Sequence, residues 1–292
     1  MDAFVQVIVS GLTLGGMYAV SVIGLALVWG VVGMLNMAHG AMLAIGGYAS
    51  LVAVQYLGLP WMFGLPAAVV IGVIAGALIY YGIVHWMVSS PLFETNIIIA
   101  TVGLAIVITS VMTTVFSGYP KKQPFFVEGG VRVSEILVPY QTIIIIIVAL
   151  AMMFLIYLLL SRTRMGRAIR ATAQDQRGAQ IVGVPVKRVF LQVMMIAGAV
   201  AGLSGVMLSS VSTLSPQVGT DPMLKAFIIC VIAGLGNVPG AMLFAFVLGL
   251  FEVGVQFIIG SKWGFPAMLV VAIVILIWRP YGVFGQRTVR RV

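Results

Sequence analysis

A chain of 292 residues that is 62% hydrophobic and 8% charged, with a mean hydropathy of +1.18, is excluded from the soluble globular proteins, which carry about a quarter charged residues. Its formal net charge of +9 would suggest nucleic acid in a soluble protein. Here the basic residues gather in one central loop and in the tail Arg287, Arg290 and Arg291, a distribution that membrane topology explains without a nucleic-acid partner.

In chain order, the first apolar stretch follows Asp2, its only preceding charge, so no basic n-region of a secretory signal is evident and the stretch is expected to remain. A span needs about 20 apolar residues. That ruler gives spans near 6–31, 40–58, 62–88, 95–117, 139–160, 189–211, 240–259 and 264–279. Leu224 to Leu235 is shorter and reads either as a tilted or broken span or as a re-entrant half-helix. The expected architecture is an all-α polytopic integral membrane protein, a bundle of eight or nine transmembrane helices forming a single transmembrane unit over 1–292. Trp61, Trp86, Tyr140, Trp263 and Trp278 fall at span ends, where interfacial aromatic belts are expected.

The spans differ in kind. Residues 139–160 contain Ile143 to Ile147 and no glycine, which predicts a helix facing lipid. Gly11 and Gly15, Gly72 and Gly76, and Gly198 and Gly202 are small-xxx-small pairs that let helix backbones approach, so these belong inside the bundle.

The one long polar interruption, 161–188, holds Arg162, Arg164, Arg167, Arg170, Arg177, Lys187 and Arg188 with a single acid, Asp175. Basic residues beside apolar spans are retained on the cytoplasmic side. Good helix formers from Arg164 to Gln180, then Gly183 and Pro185, predict a short cytoplasmic helix with an ordinary stop signal. Small residues at Gly178, Ala179 and Gly183 offer a surface on which a partner can dock. Counting back places the N-terminus and the loop Ser117 to Pro139 outside. In that loop Lys121, Lys122 and Arg132 stand against Glu128 and Glu135. A cytoplasmic C-terminus then requires Leu224 to Leu235 to cross, giving nine crossings, with eight as the alternative.

Asn36-Met-Ala-His39-Gly40-Ala41-Met42-Leu43 and Asn237-Val-Pro239-Gly240-Ala241-Met242-Leu243 share Asn and Gly-Ala-Met-Leu, the latter copies 200 positions apart. Such a match marks an internally duplicated unit, and transporters place their pathway between repeats. Each Asn can cap the following helix. Glu252 lies well inside a span, where an ionised acid costs about 2.5–3.5 kcal/mol on insertion scales, so it must face the interior and have a partner. It is a candidate proton site, substrate contact or structural hydrogen bond. Lys225, beside Asp221, reads as an interfacial ion pair with a snorkelling stem. Asn36, His39, Asn237 and Glu252 are the candidate pathway residues. The lone Cys230 reads as a small buried hydrophobe.

No catalytic or metal constellation is present. His39 and His85 are 46 residues apart, and no His-Glu-x-x-His, Cys-x-x-Cys, Gly-x-Ser-x-Gly or phosphate-loop pattern occurs. The chain is not read as an enzyme, and ATP hydrolysis is not expected of it.

The sequence Gly11-Leu-Thr-Leu-Gly15-Gly-Met-Tyr18-Ala, then Gly24-Leu-Ala-Leu and Asn36-Met-Ala-His39-Gly40, resembles the opening of branched-chain amino acid ABC transporter permeases of the high-affinity importer type. Arg170-Ala-Thr-Ala-Gln-Asp175, Leu224-Lys225-Ala-Phe, Gly234-Leu-Gly236-Asn237-Val-Pro-Gly240-Ala and Arg279-Pro-Tyr-Gly282-Val-Phe-Gly285 extend the resemblance through the second half. It implies an ABC-importer permease fold in a bacterial plasma (inner) membrane, with alternating access as the mechanism. It also implies a second homologous permease or a second copy of this chain, two ATPase subunits carrying ATP and Mg, and a periplasmic or extracellular solute-binding protein. The coupling residues implied are Arg170, Asp175, Gly178, Ala179, Gly183 and Pro185, with Ala179-x-x-x-Gly183-Val-Pro185 similar to the docking core and Asp175 the candidate leading acid. The expected solutes are branched-chain or other hydrophobic amino acids, or similar small molecules. The rival reading is an ATP-independent carrier titrating at Glu252, or a channel for urea or a small amide.

Overall fold

A computed structural model describes residues 2–123, 129–133 and 136–285. Glu128, Glu135, Arg287, Arg290 and Arg291, which entered the charge argument, lie outside them. In hydrocarbon every backbone polar group must be satisfied within its own segment, so an apolar chain of this composition folds as helices. Seven helical runs among the described residues are long and apolar enough to cross a membrane: Phe4–Val32, Trp61–Met87, Phe93–Phe116, Tyr140–Arg162, Val186–Val211, Val238–Ile258 and Ser261–Trp278.

The helices are α1 (Asp2–Val32), α2 (His39–Leu51), α3 (Gly64–Ile79), α4 (His85–Met87), α5 (Phe93–Phe116) and α6 (Tyr140–Arg162). The second half adds α7 (Arg164–Gln174), α8 (Gln176–Ile181), α9 (Val186–Val211), α10 (Thr220–Ala233), α11 (Val238–Ile258) and α12 (Gly264–Trp278). A π-helical turn, Tyr80–Val84, joins α3 to α4, and another, Val52–Tyr56, extends α2. Strands β1 (Gly130–Val133) and β2 (Ile136–Pro139) form an antiparallel hairpin in the loop before α6.

Helices α1 and α9 are the core: 89% and 72% of their apolar windows are buried, against 17% for α5, α6 and α12. The isoleucine run of α6 turns Ile145 onto α1 and leaves Ile147 exposed, as its composition predicts for a peripheral helix. The glycine pairs sit where expected. Gly11 and Gly15 abut Leu250 and Phe246 of α11, while Gly72 and Gly76 of α3 abut Gly198 and Met194 of α9.

The two remaining passages differ from simple spans. One end of the bundle is marked by Val9, Leu137, Val211 and Gln256, which line one cleft; the other by Val31, Leu160, Leu235 and Asn237, which line another. Residues 212–235 therefore travel from the first end to the second, but only α10, of 14 residues and about 21 Å, is helical. The preceding stretch is non-helical, with a bridge pinned by paired Lys121 and Leu214 backbone bonds of 2.8 and 2.9 Å followed by turns over 216–219. The expected span at 40–58 is helical over 39–56, the 13 residues of α2 and the 5 of its π-helical extension, but it starts inside the bundle. Residues 33–38 are non-helical, and α2 begins with His39 bonded to the Ser21 carbonyl of α1 at 3.0 Å, well short of the bundle's end. Gly40 and Gly219, at the starts of α2 and α10, touch through their backbones. Counting these two, the described chain passes nine times between the ends.

Candidate functional site

Two constructions can do something beyond packing: a charged network inside the bundle and the polar loop at its second end.

The network joins three helices. Glu252 of α11 is buried and its carboxylate accepts from the Tyr18 hydroxyl of α1 at 2.7 Å, from Lys225 Nζ of α10 at 2.7 Å and from Gln256 Nε2 at 3.1 Å. Lys225 Nζ also donates to the Tyr18 oxygen at 2.9 Å and stands 5.4 Å from that ring's centroid and 6.0 Å from that of Phe265. Asp221, the partner that proximity in sequence suggested, is 3.7 Å away. The expected pair is present, but the closer contact has a physical reason: a Lys stem at mid-depth that reaches a buried carboxylate neutralises it, whereas Asp221 is exposed. Chemically the network holds a charge pair with most of its hydrogen-bonding capacity used.

Asn36 and His39 are both buried at the entry to α2. The Asn36 amide oxygen accepts from the Ala38 N–H at 3.1 Å, and the N–H between them, of Met37, donates to Thr101 of α5 at 3.1 Å. Asn36 thus forms an Asx turn, while the cap position itself falls on Ala38. Asn237 does cap α11, accepting from Gly240 N–H at 2.9 Å. It lines a cavity of about 560 Å³ at the second end with Gly30, Val31, Leu160, Arg170 and Phe284. Glu252 is in neither place, so the four candidate pathway residues do not converge.

The polar loop is not one helix over Arg164 to Gln180 but two. Asp175 is extended at φ −155°, ψ 109°, and its carboxylate accepts from Arg177 N–H at 2.9 Å, so it ends α7 and caps α8. A lone Asp competes for the backbone in this way where its neighbours are good helix formers. Helix α7 is amphipathic: Gly166, Ile169 and Thr172 pack inward while Arg164, Arg167 and Arg170 are exposed. Ala179 buries the inner face of α8, and a Cβ on Gly178 would press on the Asp175 carboxylate at 2.6 Å. Gly183 stands at φ +87°, a conformation that suits glycine, and Pro185 precedes α9. The tip that remains, Ile181 and Val182, is 85% and 78% exposed.

Against known proteins, residues 7–278 match the family described as branched-chain amino acid transport system, permease component. The chain belongs to that family. It is 29% identical to the high-affinity branched-chain amino acid transport system permease protein BraD of Pseudomonas aeruginosa, over 99% of this chain and 98% of the relative. Identity to the LivH permease protein of Escherichia coli is the same, with the same coverage. A more distant relative, the galactose/methyl galactoside import permease protein MglC of Haemophilus influenzae, is 26% identical over 68% of this chain and 63% of its own length. No solved structure matches. Membership of this permease family makes the chain a multi-pass membrane component of a transport system rather than an enzyme in itself.

Sequence reasoning found the Lys225–Asp221 pair but missed Tyr18, Gln256 and the closer contact of Lys225 with Glu252. The signal was available: a carboxylate in mid-span needs a cation. Lys225 is the sole Lys or Arg between Arg188 and Lys262.

Proposed function

We propose that this chain is the membrane subunit of an ATP-driven importer that moves branched-chain or other hydrophobic amino acids into the cytoplasm by alternating access. The single observation that carries the reading is the α7–α8 loop of a permease-family chain, where a capped break presents exposed Ile181 and Val182 beside a row of arginines. Uncovered apolar residues on a short, rigid turn suit the cleft of a partner chain. That partner is an ATPase subunit, one of two, supplying the ATP and Mg that this chain does not. Residues 161–188 form the coupling loop, in which Asp175, Gly178, Ala179 and Gly183 set its shape, Arg170 faces the base of the bundle, and Pro185 passes its motion into α9.

In this reading the loop and the C-terminus are cytoplasmic and the N-terminus is outside, in a bacterial inner membrane. A second permease, related or identical, completes the assembly, and a solute-binding protein delivers the amino acid. The relatives' printed substrates support the choice of leucine-type solutes.

The test is the pair Ile181→Asp with Val182→Asp in the reconstituted complex. Apolar anchors at an interface are worth about 2 kcal/mol or more together, so ATPase association should weaken roughly thirtyfold. ATP-driven uptake should fall with it, while the purified chain unfolds at an unchanged temperature because both side chains are exposed. Uptake and ATPase retention at the unsubstituted level would reject the docking role.

A further inference from the structure

The network described above leaves one acid with only a long, shared ion pair. Asp221 is 75% exposed, and its carboxylate stands 3.7 Å from Lys225 Nζ, whose charge the buried Glu252 already meets at 2.7 Å. Its depth follows from its neighbours. The same Nζ bonds to Tyr18, 14 residues or about 21 Å from the end of an α1 that is itself about 46 Å long. Asp221 therefore lies well inside the hydrophobic thickness of about 30 Å.

Gln217, Thr220 and Leu224 are exposed with it, making a mixed polar strip on the first turn of α10 and the turn that leads into it. Elsewhere at comparable depth the exposed side chains are apolar: Ile106 on α5, Leu150 on α6 and Val247 on α11. Those faces suit lipid tails. The α10 strip does not, because an ionised carboxylate against hydrocarbon is costly and intramembrane acids face a bundle interior or a water-filled cavity. The groups facing this point are Tyr18 from α1, Glu252 from α11, Phe265 from α12 and Lys225 from α10 itself, which with Asp221 leave one net negative charge.

We infer that the first turn of α10 lines the aqueous path through the assembled transporter, and that Asp221 draws in the ammonium group of the passing solute. Leu224 then meets the solute's apolar side chain, while Lys225 stays committed to Glu252. The solute's identity as an amino acid rests on the importer reading; the path and its charge preference do not.

Cysteine labelling separates these points, since the chain's single cysteine, Cys230, is buried. In the intact complex in membranes, Gln217→Cys and Asp221→Cys should react with a membrane-impermeant methanethiosulfonate, and Leu150→Cys and Val247→Cys should not. At Gln217→Cys a cationic reagent should react faster than an anionic one by roughly tenfold, as one unit charge at close range provides. Asp221→Asn should abolish that preference. Failure of both 217 and 221 to label, with or without nucleotide, overturns the path; labelling with no charge preference overturns the role of Asp221. Neither arm depends on uptake, so a complex that labels as described yet transports no amino acid would reject the importer reading and leave the path standing.

Discussion

Lys225→Met is expected to destabilise the folded chain by about 3–5 kcal/mol, because removing one member of a buried ion pair leaves the other charge uncompensated. Glu252 would keep only the Tyr18 and Gln256 bonds, at 2.7 and 3.1 Å, in a site from which solvent is excluded. Glu252→Gln should cost less. The freed ammonium retains the Tyr18 oxygen at 2.9 Å and has Asp221 within 3.7 Å as an exposed substitute. The double variant Lys225→Met with Glu252→Gln should recover most of the loss, since matched removal of a buried pair is close to neutral. The thermal unfolding of the purified chain in mild detergent reads all three. Additive losses in the double variant would show that the pair is not coupled.

The other large effect belongs to the crossing of α3 and α9. A Cβ on Gly198 would collide with the Gly72 carbonyl oxygen, and one on Gly72 with the Gly198 carbonyl oxygen. Backbone meets backbone there, so no rotamer change relieves the contact and the helices must part along their length. Overpacking of this kind costs about 1–3 kcal/mol where side chains can adjust, and more where they cannot. Gly198→Leu should therefore abolish most of the folded yield. Gly254 supplies the control: nothing lies within 4 Å of its added Cβ. Gly254→Ala should stabilise α11 by roughly 0.5–1 kcal/mol through helix propensity alone. Equal losses at both positions would mean that the α3–α9 contact is not what holds these helices.

Much of the architecture was legible in the sequence because bilayer thickness and backbone satisfaction leave few choices. Span lengths, the inward glycines and the outward Ile147 all follow from that. What escaped were places where apolarity and helicity part company. Residues 33–38, between two expected spans, are non-helical yet lie within the bundle, where Met37 N–H is bonded to Thr101. Residues 212–219 are polar enough to look like an external loop, yet they descend into the bundle beside Lys121. Hydropathy measures how comfortable a segment is in lipid, and neither segment touches only lipid.

Side-chain logic had similar limits. Asn237 was placed correctly because an N-cap is a local device, bonding three residues ahead. Of the partners of Glu252, Tyr18 and Lys225 are 234 and 27 residues away, and only the packing of α1, α10 and α11 brings them together. Asp175 was read as part of a helix because its neighbours favour one, and a single carboxylate-to-amide bond was sufficient to break it.

The most direct test of the central claim is amino-acid uptake into liposomes containing the purified chain, with and without its co-purifying ATPases and permease. The account predicts accumulation of a leucine-type amino acid that requires ATP, those partners and a loaded binding protein. Uptake by this chain alone, driven by a pH gradient and lost on Glu252→Gln, would contradict it.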